Sequence, residues 1–258
     1  MNFFLGGIDL EMLAIKNVLI TKGIAFCDKG LGWGAHASAY ASEIAQAVSE
    51  GEVIVLLELD NEPRQATKWD GEKIPVSLPS GTIIVDHHGD RAGEPASILQ
   101  VLDLLGLEPS RHQQLIAADD SGGPVGLVAF GATPEEFTAV RTAGRTAQGI
   151  TLEQEEEATR AVAASEKFGG AVIVRCAHSK CAPITDRLFP SWEDGRENLL
   201  ILSEDGEVNY FGKASVRNAL KQRFGGYLGG NPEGNGFWGT QGVSQEDILS
   251  LFKECVVK

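Results

Sequence analysis

The sequence has few cysteines, no long hydrophobic run and little positive charge. Four cysteines in a chain of 258 residues are too sparse for a disulfide framework, so we expect them to be reduced. The longest apolar runs fall short of the roughly 18 residues that a membrane-spanning helix needs, so no span is predicted. The N-terminal segment shows neither a basic leader nor a small-residue cleavage site, and we therefore expect a cytoplasmic protein.

The small number of basic residues limits the classes of molecule that the protein is expected to bind. The chain has 22 lysines and arginines against 36 aspartates and glutamates, a net charge of −14. Proteins that hold long nucleic acid gain most of their binding energy from basic side chains that neutralise phosphates, so this class is disfavoured. The lack of a predicted span disfavours a membrane partner. A small phosphorylated substrate is favoured. A short oligonucleotide is also a compatible substrate, because divalent metals can supply positive charge. The protein itself could form an oligomer.

The pattern of elements predicts an α/β protein. Strand-like and helix-like segments alternate over residues 1–125, which is typical of a parallel sheet with helices on both faces. Residues 126–168 are polar and mostly helical, and are predicted to be a connector. A smaller α/β domain with a hairpin turning at Asp205–Gly206 and a glycine-rich loop is predicted over residues 169–258. The first domain has predicted strands over 2–8, 52–60 and 81–88, and predicted helices over 10–21, 36–50, 94–106 and 109–120.

Acidic and histidine side chains follow the predicted strands and one predicted helix. They are Asp9 and Glu11, Asp60, the triplet Asp86, His87 and His88, and the pair Asp119 and Asp120. Because ligands collect at the carboxyl ends of parallel strands, we expect one pocket to gather them. Carboxylates with one or two imidazoles suit Mn²⁺ or Mg²⁺, and such ions bind phosphate and activate water. Taken singly, each acidic residue is also explained by a helix cap or a polar loop.

The run IVDHHGD at residues 84–90 resembles a known family when it is read together with two later segments. With EPASILQVLDLLGLEP and LIAADDSGG after it, it is similar to the central part of the DHH phosphoesterase superfamily, which is named after the Asp-His-His triplet. That superfamily includes manganese-dependent pyrophosphatases, single-strand exonucleases and enzymes that hydrolyse short oligonucleotides or cyclic dinucleotides. LLELDNEP lies at the position of its second motif and GGIDLEM overlaps the first. The resemblance covers about residues 3–123.

The resemblance implies a role for each of these side chains. The implied metal ligands are Asp9, Glu11, Asp60, His87 and Asp120, with Asp60 between two ions. His88 would lie beside the scissile phosphate as a proton donor or charge stabiliser, and Asp86 would orient an imidazole. Asp119 would replace Asp120 if the register of that motif were shifted by one.

The first motif departs from the pattern of the superfamily. Leu5 stands where the motif has histidine, and Glu11 stands where it has aspartate, so one metal position lacks a ligand. His36 could be an extra ligand, as could Asp28, although His36 is also consistent with a helix cap. Three outcomes stay open: a single-metal enzyme, a pair of metals completed by another residue, and a protein that binds phosphate compounds without cleaving them.

Eight of residues 225–242 are glycine. Glycine lets the backbone approach a ligand and present N–H groups to phosphate oxygens, while aromatic rings can stack on a base. The segment resembles the superfamily's substrate loop without its usual histidine. The predicted substrate-binding residues are Arg217, Gly225, Gly226, Gly229 and Gly230, and the candidate stacking residues are Tyr227, Phe237 and Trp238. A flexible surface loop is the alternative.

These observations predict a metal-dependent phosphohydrolase. It would hydrolyse a small nucleotide or a short oligonucleotide with a metal-activated water, using Mn²⁺ or Mg²⁺. The alternative is a non-catalytic phosphate- or nucleotide-binding regulator with the same fold. The retained ligands favour the enzyme, and the weakened first motif favours the regulator.

Overall fold

The computed structural model describes residues 1–32, 34–65, 71–189, 198–230 and 236–257. The chain divides into two compact units, residues 1–148 and 149–258. The division lies within residues 126–168, the segment predicted to be a connector. Within the described ranges, no helix combines the length and apolar character that crossing a membrane requires.

The first unit is built on a four-stranded parallel sheet. Its strands are β1 (Asn2–Leu5), β2 (Phe26–Asp28), β3 (Ile54–Leu57) and β4 (Ile83–Val85), in the order β2-β1-β3-β4. Every residue of β3 is buried, which explains why its sequence is a continuous apolar run rather than an alternating one. Leu5 pairs with Leu57, and Leu57 with Val85, so three strands end at the same level. The residues after these strands start at one edge of the sheet.

Helices cover both faces of this sheet, as predicted. They are α1 (Leu10–Lys22), α2 (Ala41–Ser49), α3 (Ser97–Leu104), α4 (Arg111–Phe130) and α5 (Pro134–Ala147). Residues of α1, α3 and α4 pack with the sheet on one face, and α2 with the preceding 3-10 turn packs on the other. Asp9 caps α1, where its carboxylate accepts a hydrogen bond from Met12 N, and Gly23 ends the helix with a φ of 64°.

One glycine fixes the approach of two strand ends. A Cβ atom at Gly6 would lie 2.5 Å from the carbonyl oxygen of Glu58 and 2.9 Å from that of Leu57. No larger residue fits without moving the backbone, because real Cβ contacts are not this short. Gly6 therefore lets the end of β1 pack against the residue that follows β3.

The second unit is a smaller α/β unit with a mixed sheet. Its strands are β5 (Glu166–Phe168), β6 (Ala171–Cys176), β7 (Asn198–Ser203), β8 (Glu207–Gly212), β9 (Tyr227–Gly230) and β10 (Gly236–Gln241), in the order β5-β6-β7-β8-β10-β9. Helices α6 (Leu152–Ala163) and α7 (Ala182–Leu188) pack on one face, and α8 (Ala214–Phe224) and α9 (Gln245–Val256) on the other. The predicted hairpin at Asp205–Gly206 joins β7 to β8.

Candidate metal centre

Four side chains of the first unit converge at the sheet edge where the strands end. Ligand atoms of Glu11, Glu58, His87 and Asp120 all lie within 4.8 Å of one another. His87 Nε2 is 2.6 Å from Asp120 Oδ2, 3.6 Å from Glu58 Oε1 and 3.7 Å from Glu11 Oε2. Ligand atoms on one octahedral divalent cation lie about 3 Å apart. The spacing of this cluster therefore fits a single cation, and we call these four residues the metal cluster.

Each member of the metal cluster comes from a different element. Glu11 lies in the first turn of α1, Glu58 follows β3, and His87 follows β4 by two residues. Asp120 lies in α4, three residues before the helix breaks at Gly123, whose φ of 56° and ψ of −146° are not helical. The parallel sheet thus brings together residues that are up to about a hundred positions apart in the sequence.

The N-terminus of α3 orients two of the carboxylates. The backbone N–H of Ile98 donates to Glu11 Oε1 at 3.0 Å, and the hydroxyl of Ser97 donates to Glu58 Oε1 at 2.8 Å. Such bonds hold a ligand oxygen in place, and the exposed N–H groups and partial positive charge of a helix N-terminus favour a carboxylate there. The carboxylates of Glu11 and Glu58 are therefore positioned before any ion binds.

Three atoms of the metal cluster face one another without a hydrogen bond. Glu11 Oε2, His87 Nε2 and Asp120 Oδ2 are buried and make none among the described residues. The close contact of His87 with Asp120 is an ion pair that does not meet hydrogen-bond geometry. Leaving a buried polar atom without a partner costs about 1–3 kcal/mol, and such atoms are rare in folded proteins. The donor set fits a divalent cation, which would satisfy all three atoms at once.

The acid–base properties of the metal cluster reflect this crowding. Burial, followed by the charge of Asp120, raises the pKa of Glu11 to about 10. Contact with the carboxylates of Asp120 and Glu58 raises the pKa of His87 to about 10, although burial opposes the change. For Glu58, burial acts to raise the pKa, but the contacts with His87 and Ser97 outweigh it and the pKa is lowered. The cluster thus retains protons that a bound cation would displace.

Glu58 is the member of the metal cluster that the sequence did not predict. The structure places Glu58 in the metal cluster, whereas the carboxylate of Asp60, predicted to lie between two ions, pairs with Arg64 and accepts the N–H of Glu62 at 2.8 Å. β3 ends at Leu57, so the principle that ligands follow strand ends indicates Glu58. The prediction followed the aspartate expected for the second motif and extended the strand too far.

A small cavity opens beside the metal cluster. Its volume is about 220 Å³, and the ionisable residues that line it are Asp9, Glu58, Asp60, Arg64, Asp86, His88 and Asp120. Asp9, a predicted ligand, caps α1 with one oxygen, and burial raises its pKa to about 6. His88 is exposed, and its Nδ1 lies 3.0 Å from Asp86 Oδ1. Asp86 therefore contacts an imidazole, as the resemblance implies, and the imidazole is that of His88.

The other candidate ligands have different partners. His36 Nδ1 accepts the backbone N–H of Ser38 at 3.1 Å, which caps the 3-10 turn, and its Nε2 lies 3.0 Å from the carbonyl of Glu62, so His36 does not join the metal cluster. Asp28 pairs with Lys16 at 2.6 Å. Asp119 pairs with Arg141 at 2.8 Å, which leaves Asp120 as the inward carboxylate.

The residues of the second unit that were predicted to bind substrate make packing contacts within that unit. Arg217 is only 2% exposed, and its Nη1 donates to the carbonyl of Gly229 at 3.1 Å. Trp238 is fully buried and donates to the carbonyl of Gly225, so the suggestion that it stacks on a base is wrong. Tyr227 and Phe237 are partly exposed. Gly225, Gly226 and Gly230 have positive φ values, Gly229 lies under the ring of Phe237, and residues 231–235 of this loop lie outside the described residues.

Comparison with known proteins gives structural neighbours only. No family model and no curated protein matches the chain. A pGpG-specific phosphodiesterase, PggH from Vibrio cholerae, matches with 10% identity and a TM-score of 0.46, over 99% of this chain and 98% of its own. RecJ from Thermus thermophilus, in complex with Mn²⁺, matches with 14% identity and a TM-score of 0.43, over 99% of this chain and 51% of its own.

An exonuclease RecJ bound to manganese also matches, with 12% identity and a TM-score of 0.41, over 99% of this chain and 88% of its own. Identities and TM-scores this low assign neither an activity nor a substrate to the present chain.

Proposed function

We propose that this protein is a metal-dependent phosphohydrolase that acts on a small nucleotide or a short oligonucleotide. The observation that carries the proposal is the metal cluster, with three buried atoms that face one another and make no hydrogen bond among the described residues. Three carboxylates and one imidazole suit Mn²⁺ or Mg²⁺. The exposed His88 and the cavity beside the cluster supply a place for a phosphate and a group that can transfer a proton.

The residues of the metal cluster would hold the cation, with Ser97 and the backbone of Ile98 fixing two of the carboxylates. A divalent cation bound there supplies positive charge to phosphate oxygens and lowers the pKa of a bound water. The carboxylates of Asp9 and Asp86, which line the cavity, restrict the directions from which an anion can approach.

His88 is the residue that we assign to the leaving group. Its side chain is 57% exposed and lines the cavity, and Asp86 holds its Nδ1, which leaves Nε2 for the substrate. When water attacks the phosphorus and the bond to the leaving oxygen breaks, the protonated ring donates its Nε2 proton to that oxygen, while the proton that the attacking water loses passes to solvent, from which the ring is protonated again. The Asp86 carboxylate stabilises the positive charge of the ring before the transfer.

A non-catalytic phosphate-binding protein is the second candidate. The observation that favours it is Leu5, which is buried in the core at the position where the superfamily's first motif has histidine. With His36 and Asp28 engaged elsewhere, the described residues that could bind a cation are the four of the metal cluster and an overlapping group of Glu58, His87 and His88, which share two members. A single cation can bind a phosphate without bringing about its cleavage.

Metal titration combined with a hydrolysis panel tests the proposal. We expect the wild-type protein to bind Mn²⁺ in a calorimetric titration and to release mononucleotide from one member of a panel of dinucleotides and cyclic dinucleotides. Asp120→Asn should lose both properties, because it removes a charged ligand from the metal cluster. Asp103→Asn, which alters an exposed carboxylate on α3, is the matched control and should retain both.

Two results would change the assignment. An Asp120→Asn protein that binds Mn²⁺ as the wild type does would contradict the metal cluster as the site. A wild-type protein that binds Mn²⁺ and nucleotide but hydrolyses no member of the panel would favour the non-catalytic candidate.

A further inference from the structure

Arg64 brings a positive charge to a cavity that is otherwise lined mainly by acids. It is the arginine among the residues that line this cavity, beside the carboxylates of Asp9, Glu58 and Asp120. The carboxylates that line the cavity repel an anionic substrate. A guanidinium at this position offsets part of that repulsion.

The loop after β3 fixes the position of this arginine. The backbone N–H of Arg64 donates to the carbonyl of Lys73 at 3.1 Å, and Lys73 returns a bond to the carbonyl of Arg64 at 2.9 Å. The side chain of Asn61 binds the backbone N–H and the carbonyl of Val76 at 2.8 and 3.0 Å. These contacts tie residues 61–64 to residues 73–76, so the backbone that carries Arg64 is held in place.

Two acceptors at the cavity hold the guanidinium. Its Nη2 forms an ion pair with Asp60 Oδ2, and its Nη1 donates to the carbonyl of Gly34 at 3.3 Å. Asp60 is itself fixed, because its backbone N–H donates to Ala35 and its Oδ1 accepts from Glu62. Each terminal nitrogen of a guanidinium carries a second N–H, and 46% of the Arg64 side chain is exposed. The group is therefore oriented and still accessible to a ligand.

The carboxylate of Asp60 has a defined role in this arrangement. Its Oδ1 accepts the N–H of Glu62 at 2.8 Å and its Oδ2 pairs with the guanidinium, so the carboxylate orients the arginine. The residue predicted to bind metal thus acts in the structure as the anchor of a cation from the chain itself.

We propose that Arg64 is a substrate-positioning residue that binds a phosphate oxygen of the nucleotide at the cavity beside the metal cluster. This inference rests on the proposed function. A planar guanidinium matches the oxygens of a phosphate with two parallel hydrogen bonds, which lysine does not reproduce. An exposed ion pair with Asp60 alone would contribute little to stability, so its value lies in placing the guanidinium.

Equilibrium binding of adenosine 5′-monophosphate separates positioning from folding. With saturating Mn²⁺, we expect Arg64→Ala to weaken nucleotide binding about ten- to a hundredfold, the usual range for a lost charge-assisted hydrogen bond. Arg64→Lys should recover part of that loss, since lysine keeps the positive charge but cannot donate two parallel hydrogen bonds. The Mn²⁺ titration should match that of the wild type in both variants. Arg160→Ala removes an exposed ion pair with Glu157 in the second unit and is the matched control.

Kinetics give the second measurement. On the dinucleotide that the wild type hydrolyses, Arg64→Ala should raise KM more than it lowers kcat, because the group binds the substrate and transfers no proton. If Arg64→Ala binds nucleotide as tightly as the wild type while the wild type binds Mn²⁺ and hydrolyses its substrate, the role of Arg64 is overturned and the proposed function stands. If the wild type binds no Mn²⁺, the proposed function fails first, and the role of Arg64 fails with it.

Discussion

At the scale of single residues, Glu58 shows how the backbone places a ligand. Its φ of 50° lies in the left-handed region, and it is the non-glycine residue with a positive φ among the described residues. That conformation costs a residue other than glycine roughly 1–2 kcal/mol. Its N–H still pairs with the carbonyl of Val85 at 2.9 Å, so the turn begins as soon as β3 ends. Backbone strain of this kind persists where the surroundings fix it, often at functional sites.

The roles of Glu58 and Asp60 can be separated by isosteric substitution. Glu58→Gln replaces a ligand carboxylate with a neutral amide, so we expect the affinity for Mn²⁺ to fall at least about tenfold, as even changes to the partners of metal ligands can cause. Asp60→Asn should leave the affinity for Mn²⁺ unchanged, because this carboxylate pairs with Arg64. Isothermal titration of both variants makes the comparison. The reverse order of effects would return Asp60 to the position implied by the resemblance.

A contact between two residues can be predicted from the sequence when each residue follows a recognisable segment. His87 and Asp120 could be predicted to lie together because each follows a recognisable segment that ends at the sheet edge. Glu58 could not be chosen over Asp60, because the choice depends on β3 ending at Leu57 and on a left-handed turn. The capping bond of His36 is local, from the N–H of Ser38, but its second ring nitrogen contacts a carbonyl 26 residues away, at Glu62. Sequence proximity does not reveal such a contact.

At the scale of elements, α3 connects the core to the metal cluster. Ile98, Val101 and Leu102 are buried in the core on one face of the first sheet. The first turn of the same helix supplies the hydroxyl of Ser97 and the N–H of Ile98 to the carboxylates. The hydrophobic packing of α3 therefore also sets where these donors lie. Core substitutions in this helix would be expected to disturb the cluster.

The carboxylate of Glu136 stabilises the junction of α4 and α5. Glu136 closes a capping box with Thr133, and its oxygens accept from Arg111 Nε at 2.7 Å and Nη2 at 2.8 Å. The guanidinium of Arg111, followed by the N–H of Thr133, lowers the pKa of Glu136 to about 2. The residue thus stays charged far below the pH at which an unfolded glutamate takes up a proton.

The pH dependence of stability tests this junction. A carboxyl group with a lowered pKa in the folded state contributes stability that is fully present above its unfolded pKa of 4.5 and is lost as the pH falls toward 2. We expect Glu136→Gln to have a lower free energy of unfolding than the wild type at pH 7, with the difference shrinking below about pH 4.5. Urea titrations at several pH values measure it. Glu135→Gln, an exposed carboxylate in the same turn, should show no such difference; a pH-independent gap for Glu136→Gln would contradict the ionic origin.

Element boundaries were predictable where caps were explicit. Gly23 ends α1 and Thr133 caps α5, as their sequence signals predict. β2 was not predicted, because three residues at a sheet edge make no periodic pattern. The helix predicted to end at Asp120 continues as α4 to Phe130 across one non-helical residue, Gly123, with Pro124 next to it. A kink and a helix end have the same sequence signal, and packing decides between them.

At the scale of the whole molecule, the negative net charge of the chain is related to the metal cluster. The chain carries a net charge of −14, and part of that negative charge is concentrated in the metal cluster and the cavity beside it. Repulsion between these carboxylates opposes folding, and a divalent cation would reverse its sign. All four residues of the metal cluster belong to residues 1–148. The stabilisation that a cation brings should therefore concentrate in one unit.

Hydrogen exchange measures where that stabilisation acts. Binding to the folded state alone adds about 2.7 kcal/mol when the free ion is at a hundred times its dissociation constant. With Mn²⁺ at that ratio, we expect slower exchange in β1, β3, β4 and the first turn of α3, and unchanged exchange in β6, β7 and β8. Glu58→Gln measured with the same Mn²⁺ is the control: an affinity about tenfold weaker leaves a stabilisation of about 1.4 kcal/mol, so its protection should be clearly smaller than that of the wild type. Equal protection of both units in the wild type would contradict a cation held by Glu11, Glu58, His87 and Asp120, because that set gives the ion no ligand beyond residue 148.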